Sequence, residues 1–391
     1  MTDYYAFAEY GESNLTTTMQ NLSDDLPKKA YRIDFALIIL TGNITRYLIT
    51  RPVVEEDREV TSLWYPIRTW YAEDPLGRFP FMPASVRVRL RHFLDTWRLY
   101  VREPADAIVI HAFETYYLYT LYKRLMGRKT IVVFNPDGIV PLGLNWLSRH
   151  LYRYAVSNTQ IFIPWSQWVA EGLKLNYPKV TDDKIIVLHP GINLDKWPMR
   201  EHHEPGDRFK ILFVGGDNER KGLPTLLDAF EQTLQHTCEM HIATHSGYLS
   251  PAMKERIERI PHTHLYLDLT SSSEELQRLY RESDVFVLPT NQDCSPWVAI
   301  EALSTGIPLV ITSVGGIPDI VKDRETGLVV PPREPAQLAA AVECLRQSPE
   351  LTKKLIRQGR EHVEANFDAK INTGKFLHEI KRTILARQMQ R

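Results

Sequence analysis

Two carboxylates, Asp293 and Glu301, stand eight positions apart in the stretch PTNQDCSPWVAIEALSTG, residues 289–306. Ser295 and Pro296 between them are residue types that favour the N-cap and the first position of a helix, which puts Glu301 in the second turn. Its side chain would lean back toward the helix start, which Asp293 precedes in the loop. A ligand laid across this start could present hydroxyl pairs to both carboxylates and phosphates to the positive end of the helix dipole. The alternative is an ordinary capped helix with Glu301 facing solvent.

A second stretch, GGDNERKG at residues 215–222, follows an apolar run and precedes a helical one. Its backbone N–H groups and the side chains of Arg220 and Lys221 could hold an anion. It is not a Walker P-loop, because the order is Lys-Gly and not Gly-Lys-Ser/Thr, and it lacks the third glycine of a dinucleotide fingerprint. A tight turn with solvated charges is the alternative interpretation.

Short apolar runs alternate with helical periods around these stretches. The strand-like runs are FKILFVGG, CEMHIAT, THLYLDL, VFVLPT and PLVITS, and the helical ones are GLPTLLDAFEQTL, SPAMKERIERI, SSEELQRLYRES and PWVAIEALSTG. This order predicts a parallel sheet with helices on both faces and ligand sites beyond the carboxyl ends of its strands. A third loop on that edge, in TSVGGIPDIV at 312–321, has Gly315 and Gly316, which would let a ligand approach the backbone or simply form a turn.

The N-terminal half is similar but less regular. Strand-like runs are YYAFAEY (4–10), YRIDFALIIL (31–40), DAIVIHAF (106–113), KTIVVFN (129–135) and TQIFIPW (159–165). With 391 residues and 43% hydrophobic content, the chain is long enough for two domains. We therefore expect an α/β protein with two Rossmann-like parallel-sheet domains facing across a cleft. The polar segment 193–210 predicts a boundary near residue 205, giving domains 1–205 and 206–374 and a C-terminal helix, 375–391, that crosses back to the first domain.

The bulk composition excludes several classes of partner. A net charge of −1 argues against nucleic-acid binding, and the three scattered cysteines do not form a disulfide or metal framework. The N-terminus has no signal-peptide pattern and the longest clean apolar run, FALIIL, is too short for a bilayer, so we expect a cytoplasmic protein. The sequence shows no cluster of metal-ligating residues, so we expect no metal site. An amphipathic, arginine-rich stretch at 86–102 could lie on an anionic membrane at its inner face, although packing on its own sheet is the interpretation we favour.

Two places in the first domain are candidates for binding a second substrate. Gly11, Ser13 and Asn14 lie in a turn between a strand-like run and a helical one, where they would face the cleft, and a plain turn is the alternative. His111 closes another strand-like run, so it would lie near the carboxyl edge, and a purely structural histidine is the alternative.

Four stretches in the second half carry a resemblance to a known family. FVGGDNERKG, LPTNQDCSPWVAIEALSTGIPLVIT, VGGIPDIV and TGLVVPP occur in this order over residues 209–335 and resemble the donor domain of the family 4 retaining glycosyltransferases, which have the GT-B fold. A weaker likeness in the first domain runs through DAIVIHAF, FNPDG, PWSQWVAEGL and KIIVLHPGINLDKW. The resemblance implies transfer of a hexose from a nucleoside diphosphate sugar to a hydroxyl of a glycan, glycolipid or small molecule, with retention and without a metal or other cofactor.

The resemblance also implies roles for individual residues. Asp293 and Glu301 match the Glu-x7-Glu pair of the family, which places Asp293 by the donor sugar and Glu301 on the ribose. Lys221 matches the phosphate-binding lysine, and Arg220 would replace the usual arginine, since Gly216 stands at that position. Further donor contacts are expected from Cys294, Ser295, Pro296 and Trp297, with the base near Leu269. Asp137, in FNPDG, stands where the family often has a histidine and is a further catalytic candidate.

Three departures from the family pattern bear on function. Asp293 is one methylene shorter than the usual glutamate, Pro296 lacks the N–H of the usual glycine, and the histidine replaced by FNPDG is missing. The alternatives are a non-catalytic or weakly active GT-B-like nucleotide-sugar binding protein and another nucleotide-sugar enzyme, a phosphorylase or an epimerase. The sequence does not choose the nucleotide, the sugar or the acceptor.

Overall fold

The computed structural model describes residues 33–41, 44–50, 107–110, 116, 120, 121, 123–125, 127, 129–138, 146–200 and 206–389. These residues fall into two compact units. The C-terminal unit comprises residues 189–372, and the N-terminal unit comprises the described residues up to 188 together with 373–389. The candidates Gly11, Ser13, Asn14 and His111, the strand predicted at 4–10 and the amphipathic stretch 86–102 lie outside the described residues.

The N-terminal unit is built on a sheet of five described strands in the order β2-β1-β3-β4-β5. The strands are β1 Ile33–Thr41, β2 Ile44–Thr50, β3 Ala107–Ile110, β4 Ile131–Phe134 and β5 Ile161–Phe162. The pairings β1–β3, β3–β4 and β4–β5 are parallel, as predicted, whereas β2 pairs antiparallel with β1. We did not predict β2, although the Gly42-Asn43 dipeptide that separates it from β1 in the sequence is a hairpin signal.

The α-helices of this unit whose bounds the structure describes are α1 Trp146–Ser157, α2 Gln167–Asn176 and, for most of its length, α10 Ala369–Met389. A short 3-10 helix covers Asp182–Lys184. Ile380 and Ile384 of α10 are buried in one cluster with alternate residues of β3, β4 and β5. Because alternate strand residues point to one face of a sheet, this cluster is the packed interface between α10 and the first sheet.

The C-terminal unit contains a sheet of six described strands, all parallel, in the order β11-β10-β9-β6-β7-β8. Its strands are β6 Phe209–Val214, β7 Cys238–Thr244, β8 Thr263–Leu267, β9 Val285–Leu288, β10 Leu309–Thr312 and β11 Leu328–Val330. Its α-helices are α3 Leu223–Gln232, α4 Pro251–Arg259, α5 Glu274–Glu282, α6 Trp297–Thr305, α7 Ile317–Ile320, α8 Pro335–Gln347 and α9 Pro349–Asn366. Two 3-10 helices cover Leu234–His236 and Ser246–Tyr248.

Local sequence accounts for the ends of several of these helices. Ser250 and Ser273 cap α4 and α5, since each hydroxyl accepts a hydrogen bond from the backbone N–H three residues further on. Gly306 ends α6 in the left-handed conformation, with φ 79°, which glycine adopts at little cost. In the C-terminal half, the observed strands and helices lie close to the predicted ones.

The order of the strands creates a crevice in the C-terminal unit. The chain runs outward from β6 through β7 to β8, then returns to β9 on the other side of β6 and continues to β10 and β11. The loops after β6 and β9 consequently leave neighbouring strands in opposite directions. In parallel sheets of this kind, ligands bind at such a switch point, outside the carboxyl ends of the strands.

Residues 189–200 belong to the C-terminal unit, so the predicted boundary near residue 205 falls inside that unit. Ile192 bridges to the start of α10, donating its N–H to Phe367 O and accepting from Ala369 N. Trp197 is 2% exposed and packs edge-on against Tyr280. The polar composition of 193–210 concealed the buried Trp197. Among the described residues, no helix is both long enough and apolar enough to cross a membrane.

Candidate active site

Lys221 and Asp293 form a buried ion pair at the crevice between β6 and β9. Lys221 Nζ donates to Asp293 Oδ2 at 2.7 Å, and the two side chains are 2% and 7% exposed. Arg220 Nη1 lies 3.6 Å from the same oxygen, and Arg220 Nε lies 3.4 Å from Asp217 Oδ2. Two cations and two carboxylates therefore share one small site, as buried charges require.

The loop after β6 is a closed turn, and the backbone amides from Arg220 to Leu223 are used within it. Arg220 N donates to Asp217 Oδ1, Lys221 N to Asp217 O and Gly222 N to Glu219 O. Leu223 N, at the start of α3, donates to Asn218 O. The backbone N–H groups of residues 220–223 are therefore not the anion donors that we expected in this loop. The charge that this loop can offer a ligand comes from the side chains of Arg220 and Lys221.

The loop after β9 is held from both sides. On the β6 side, Thr290 Oγ1 and Asn291 N both donate to Arg220 O, while Arg220 Nη1 donates to Gln292 O at 3.0 Å. On the β10 side, Thr312 Oγ1 donates to Thr290 O at 2.5 Å. These contacts fix the backbone that carries Asp293.

Two glycines allow the loops to interlock this closely. Gly222 has φ 77°, and a Cβ at this position would lie 1.9 Å from Pro289 O. Gly315 has φ 56°, and its Cβ would lie 1.9 Å from Asp293 O, which also accepts from Gly316 N at 3.1 Å. From the sequence, Gly315 and Gly316 could let a ligand approach the backbone or simply form a turn. The group that approaches them is the protein's own carbonyl, so these glycines position Asp293.

The start of α6 differs by one residue from the prediction. Pro296 is the N-cap, with extended backbone angles of φ −69° and ψ 108°, and Trp297 is the first helical residue. Ser295 is therefore not the cap, and its hydroxyl makes no capping bond. Among the described residues, Ser295 Oγ is a buried oxygen with no hydrogen-bond partner. The adjacent Cys294 N donates to Asp293 Oδ1 at 3.1 Å, which orients that carboxylate.

Glu301 is buried, with 3% of its surface exposed, so the solvent-facing alternative is wrong. Tyr280 OH donates to Glu301 Oε2 at 2.9 Å. The Tyr280 ring in turn stacks on Phe286 and packs against Trp197, with centroids 5.7 Å and 5.0 Å away. Glu301 lies four residues beyond Trp297, about 6 Å along the axis from the first residue of α6, so the carboxylate is held near the helix start.

The other predicted residues lie on loops that follow strands. Gly216 is in the loop after β6, and Leu269 is half-buried after β8, a strand about 10 Å from β6 across the sheet. Asp137 is half-buried in the loop after β4 of the N-terminal unit. That loop is tied to β5 by Asn135, whose Nδ2 donates to Ile163 O and whose Oδ1 accepts from Trp165 Nε1.

Tyr280 and Asp217 were missed by the sequence analysis. Tyr280 lies on the buried face of α5 with Leu276 and Leu279, and the spacing of these three residues is typical of ordinary core packing. The sequence indicates that Asp217 is a turn residue, and the structure agrees, but its carboxylate also faces Arg220. A polar hydroxyl within an apolar stripe was the one available signal for Tyr280.

Comparison with solved structures shows that the chain has the GT-B fold. The solved structure of a glycosyltransferase from Rickettsia africae superposes with a TM-score of 0.64 at 17% identity, covering 76% of this chain and 82% of that one. The structure of Anabaena Alr3699/HepE in complex with UDP-glucose superposes with a TM-score of 0.61 at 14% identity, covering 79% and 84%. The predicted fold class is confirmed.

Residues 195–362 match the family model for glycosyl transferases group 1. Glycogen synthase from Mycobacterium tuberculosis is 29% identical over 192 residues, which are 47% of this chain and 45% of that protein. The chain thus spans about half the length of the curated relatives that it matches. The matched segment contains the crevice and both charged loops.

Proposed function

We propose that this protein is a glycosyltransferase that moves a hexose from a nucleoside diphosphate sugar to an acceptor hydroxyl with retention of the anomeric configuration. The observation that carries the proposal is the convergence of Lys221 and Arg220 on Asp293 at the switch point of the sheet. The match to glycosyl transferases group 1 and the structural likeness to a UDP-glucose complex support it.

The crevice supplies a partner for each part of such a donor. The diphosphate fits against Lys221 Nζ and Arg220, with the start of α6 adding positive potential. Ser295 Oγ, which has no partner among the described residues, can donate to a phosphate or sugar oxygen. The ribose hydroxyls fit Glu301, a hexose hydroxyl fits Asp293, and the base fits near Leu269.

Donor binding would rearrange one contact. Asp293 holds Lys221 at 2.7 Å, so an incoming phosphate shares the ammonium group with that carboxylate. An ammonium group has three N–H donors and can serve both. Asp293, partly released from the lysine, then accepts a hydrogen bond from the sugar. The short aspartate suits this arrangement because its carboxylate remains within reach of Lys221.

The transfer step needs stabilisation of a leaving diphosphate more than it needs a nucleophile. The bond from the anomeric carbon to the phosphate oxygen breaks, and the bond to the acceptor oxygen forms on the same face. The acceptor proton passes to the leaving phosphate oxygen. Lys221 and Arg220 stabilise the charge that develops on the diphosphate, a fixed electrostatic role that asks for no metal or other cofactor. Asp137 in the N-terminal unit is our candidate on the acceptor side, where a glycan or lipid-linked alcohol would bind.

A nucleotide-sugar screen tests the proposal. The full chain is melted with UDP, GDP and ADP hexoses, and the stabilising donor is then incubated with and without simple alcohol acceptors. We expect one nucleotide to raise Tm, slow release of free hexose without acceptor, and an α-configured product from an α-configured donor by NMR. Binding without transfer or hydrolysis would identify a nucleotide-sugar binding protein, and an inverted product would overturn retention.

A further inference from the structure

A polar cluster on the sheet of the C-terminal unit lies apart from the crevice. Glu239 and His241 belong to β7, His264 belongs to β8, and His241 and His264 are direct partners in the parallel register. One ligand atom from each of these three side chains lies within 4.8 Å of the other two. His241 is three residues before the end of β7, about 10 Å from the carboxyl edge along the strand.

We propose that Glu239, His241 and His264 form a binding site for a divalent transition-metal ion of the Zn²⁺ class. His241 Nε2 and Glu239 Oε1 are 3.3 Å apart. Two ligand atoms on a tetrahedral ion with bonds of ~2.1 Å are separated by about 3.4 Å, so this pair already has the required spacing. Two imidazoles and one carboxylate, with water in the fourth position, are a common zinc ligand set.

The surroundings of His241 favour this use of Nε2. Tyr266 OH lies 3.1 Å from His241 Nδ1, so a hydrogen bond there fixes the ring and leaves Nε2 directed at Glu239. The His264 ring stacks on His241 with centroids 4.8 Å apart and an angle of 24°. His264 is exposed, so a small side-chain rotation brings its nitrogen to the ion without disturbing the core.

One nearby cation works against the metal. Lys210 Nζ, on β6, lies 3.8 Å from Glu239 Oε1, the same oxygen that would bind the ion. Removing Lys210 should therefore strengthen the site.

A metal ion bound by this cluster would hold an edge strand to the rest of the sheet. Among the described strands, β8 is the last on its side, paired only with β7. Its residues are half-buried or exposed, unlike the fully buried β9 and β10. An ion bound by His241 and His264 would join the two strands through their side chains and reduce local opening of β8.

The test uses the full chain without a polyhistidine tag, stripped of metal with a chelator that is then removed. Zn²⁺, Co²⁺ and Mg²⁺ are titrated separately by equilibrium dialysis, with Tm and hydrogen exchange of the β8 amides as further measurements. We expect one Zn²⁺ or Co²⁺ per chain, no comparable Mg²⁺ binding, a higher Tm and slower β8 exchange.

Three variants separate the proposed site from chance binding. His264→Gln should weaken Zn²⁺ binding about tenfold or more, since it removes one of three ligands. Lys210→Gln should tighten it several-fold, and His236→Gln, an exposed histidine in a 3-10 helix elsewhere, should leave it unchanged. The proposal is overturned if wild-type protein binds no Zn²⁺, if His264→Gln binds like wild type, or if His236→Gln loses as much as His264→Gln.

Discussion

The crevice loops and the β7–β8 face gather charged side chains in the same sheet by different means. In the crevice, Lys221 and Asp293 are 2% and 7% exposed and are held by loops that interlock through backbone carbonyls. On the β7–β8 face, His241 and Glu239 are 13% and 22% exposed and lie two residues apart on β7, and strand register places His264 beside His241. Burial makes the crevice charges depend on one another, whereas solvent screens the others. Changes in the crevice should therefore affect folding and function together.

Replacement of Lys221 should have the largest effect. Lys221→Met keeps the length of the side chain but leaves Asp293 buried with Arg220 as the remaining nearby cation. We expect a loss of about 2–3 kcal/mol in the free energy of unfolding, below the ~3–5 kcal/mol of a fully uncompensated charge, and turnover lower by about 10²–10³-fold. Urea denaturation and donor turnover measure the two effects.

The matched control is Lys254→Met on α4, which removes an exposed lysine whose Nζ lies 3.8 Å from Glu258 Oε1. It should change the free energy of unfolding by less than ~0.5 kcal/mol and leave turnover intact. If Lys221→Met retained near-normal turnover in its folded fraction, Lys221 would have no part in the reaction.

Gly315→Ala should have the next largest effect, because it would push apart the loops that carry Gly315 and Asp293 without removing a charge. The new Cβ would lie 1.9 Å from Asp293 O, at a φ of 56° that alanine disfavours. We expect a loss of about 2–4 kcal/mol in stability and weaker nucleotide binding, measured by denaturation and calorimetry.

Gly374→Ala in α10 is the control with the opposite sign. A Cβ there meets no atom of the described residues within 4 Å outside its own helix. Alanine should stabilise the helix by ~0.5–1 kcal/mol and leave nucleotide affinity unchanged. Equal behaviour of the two variants would mean that the contact between Gly315 and Asp293 does not hold the site.

Tyr280→Phe should have a moderate effect. It removes the hydroxyl that donates to Glu301 Oε2 at 2.9 Å, and a buried carboxylate loses one hydrogen bond. We expect a loss of about 1–2 kcal/mol in stability and a several-fold rise in the Kd for the nucleotide. Tyr266→Phe, the corresponding change on the β7–β8 face, should cost less and leave nucleotide affinity unchanged. If Tyr280→Phe bound nucleotide normally, the ribose would not depend on Glu301.

The sequence predicted the crevice residues better than the cluster on the β7–β8 face, because the two groups of residues lie in different kinds of segment. Lys221 and Asp293 lie in loops that follow strands, and Glu301 lies in the helix after the second loop. The glycines, prolines and charges of these stretches stand out locally. Parallel strands place the carboxyl ends of successive units on one edge, so these residues meet without any knowledge of register. The predicted strands and helices of this half follow from the same local signals.

What the sequence did not predict depends on non-local pairing. His241 and His264 lie in different strands, and only the register that aligns them makes a possible metal site. From the sequence, Gly315 could face a ligand or form a simple turn. It faces Asp293 O, a contact set by how two loops fold together. The boundary was placed near residue 205 because composition cannot reveal that Trp197 is buried by Tyr280. Propensity is local, whereas these contacts are decided by tertiary packing.

Asp268→Asn should have the smallest effect and tests the solvent-screened side of the comparison. Asp268, after β8, has φ 58°, and its Oδ1 accepts from Ser246 N at 2.9 Å. This backbone hydrogen bond lowers the pKa of Asp268 below its ordinary 3.8, so its stabilising contribution is full above that pH and is lost as the pH falls through the lowered value. Because the side chain is 49% exposed, the variant should lose under about 1 kcal/mol at pH 7. Asparagine tolerates the left-handed backbone, so the charge is the main change.

Denaturation at a series of pH values should show that the difference in the free energy of unfolding between Asp268→Asn and wild type narrows as the pH falls below 3.8. A difference as large as that of Lys221→Met, or one that grows in acid, would show that this loop is as tightly coupled as the crevice.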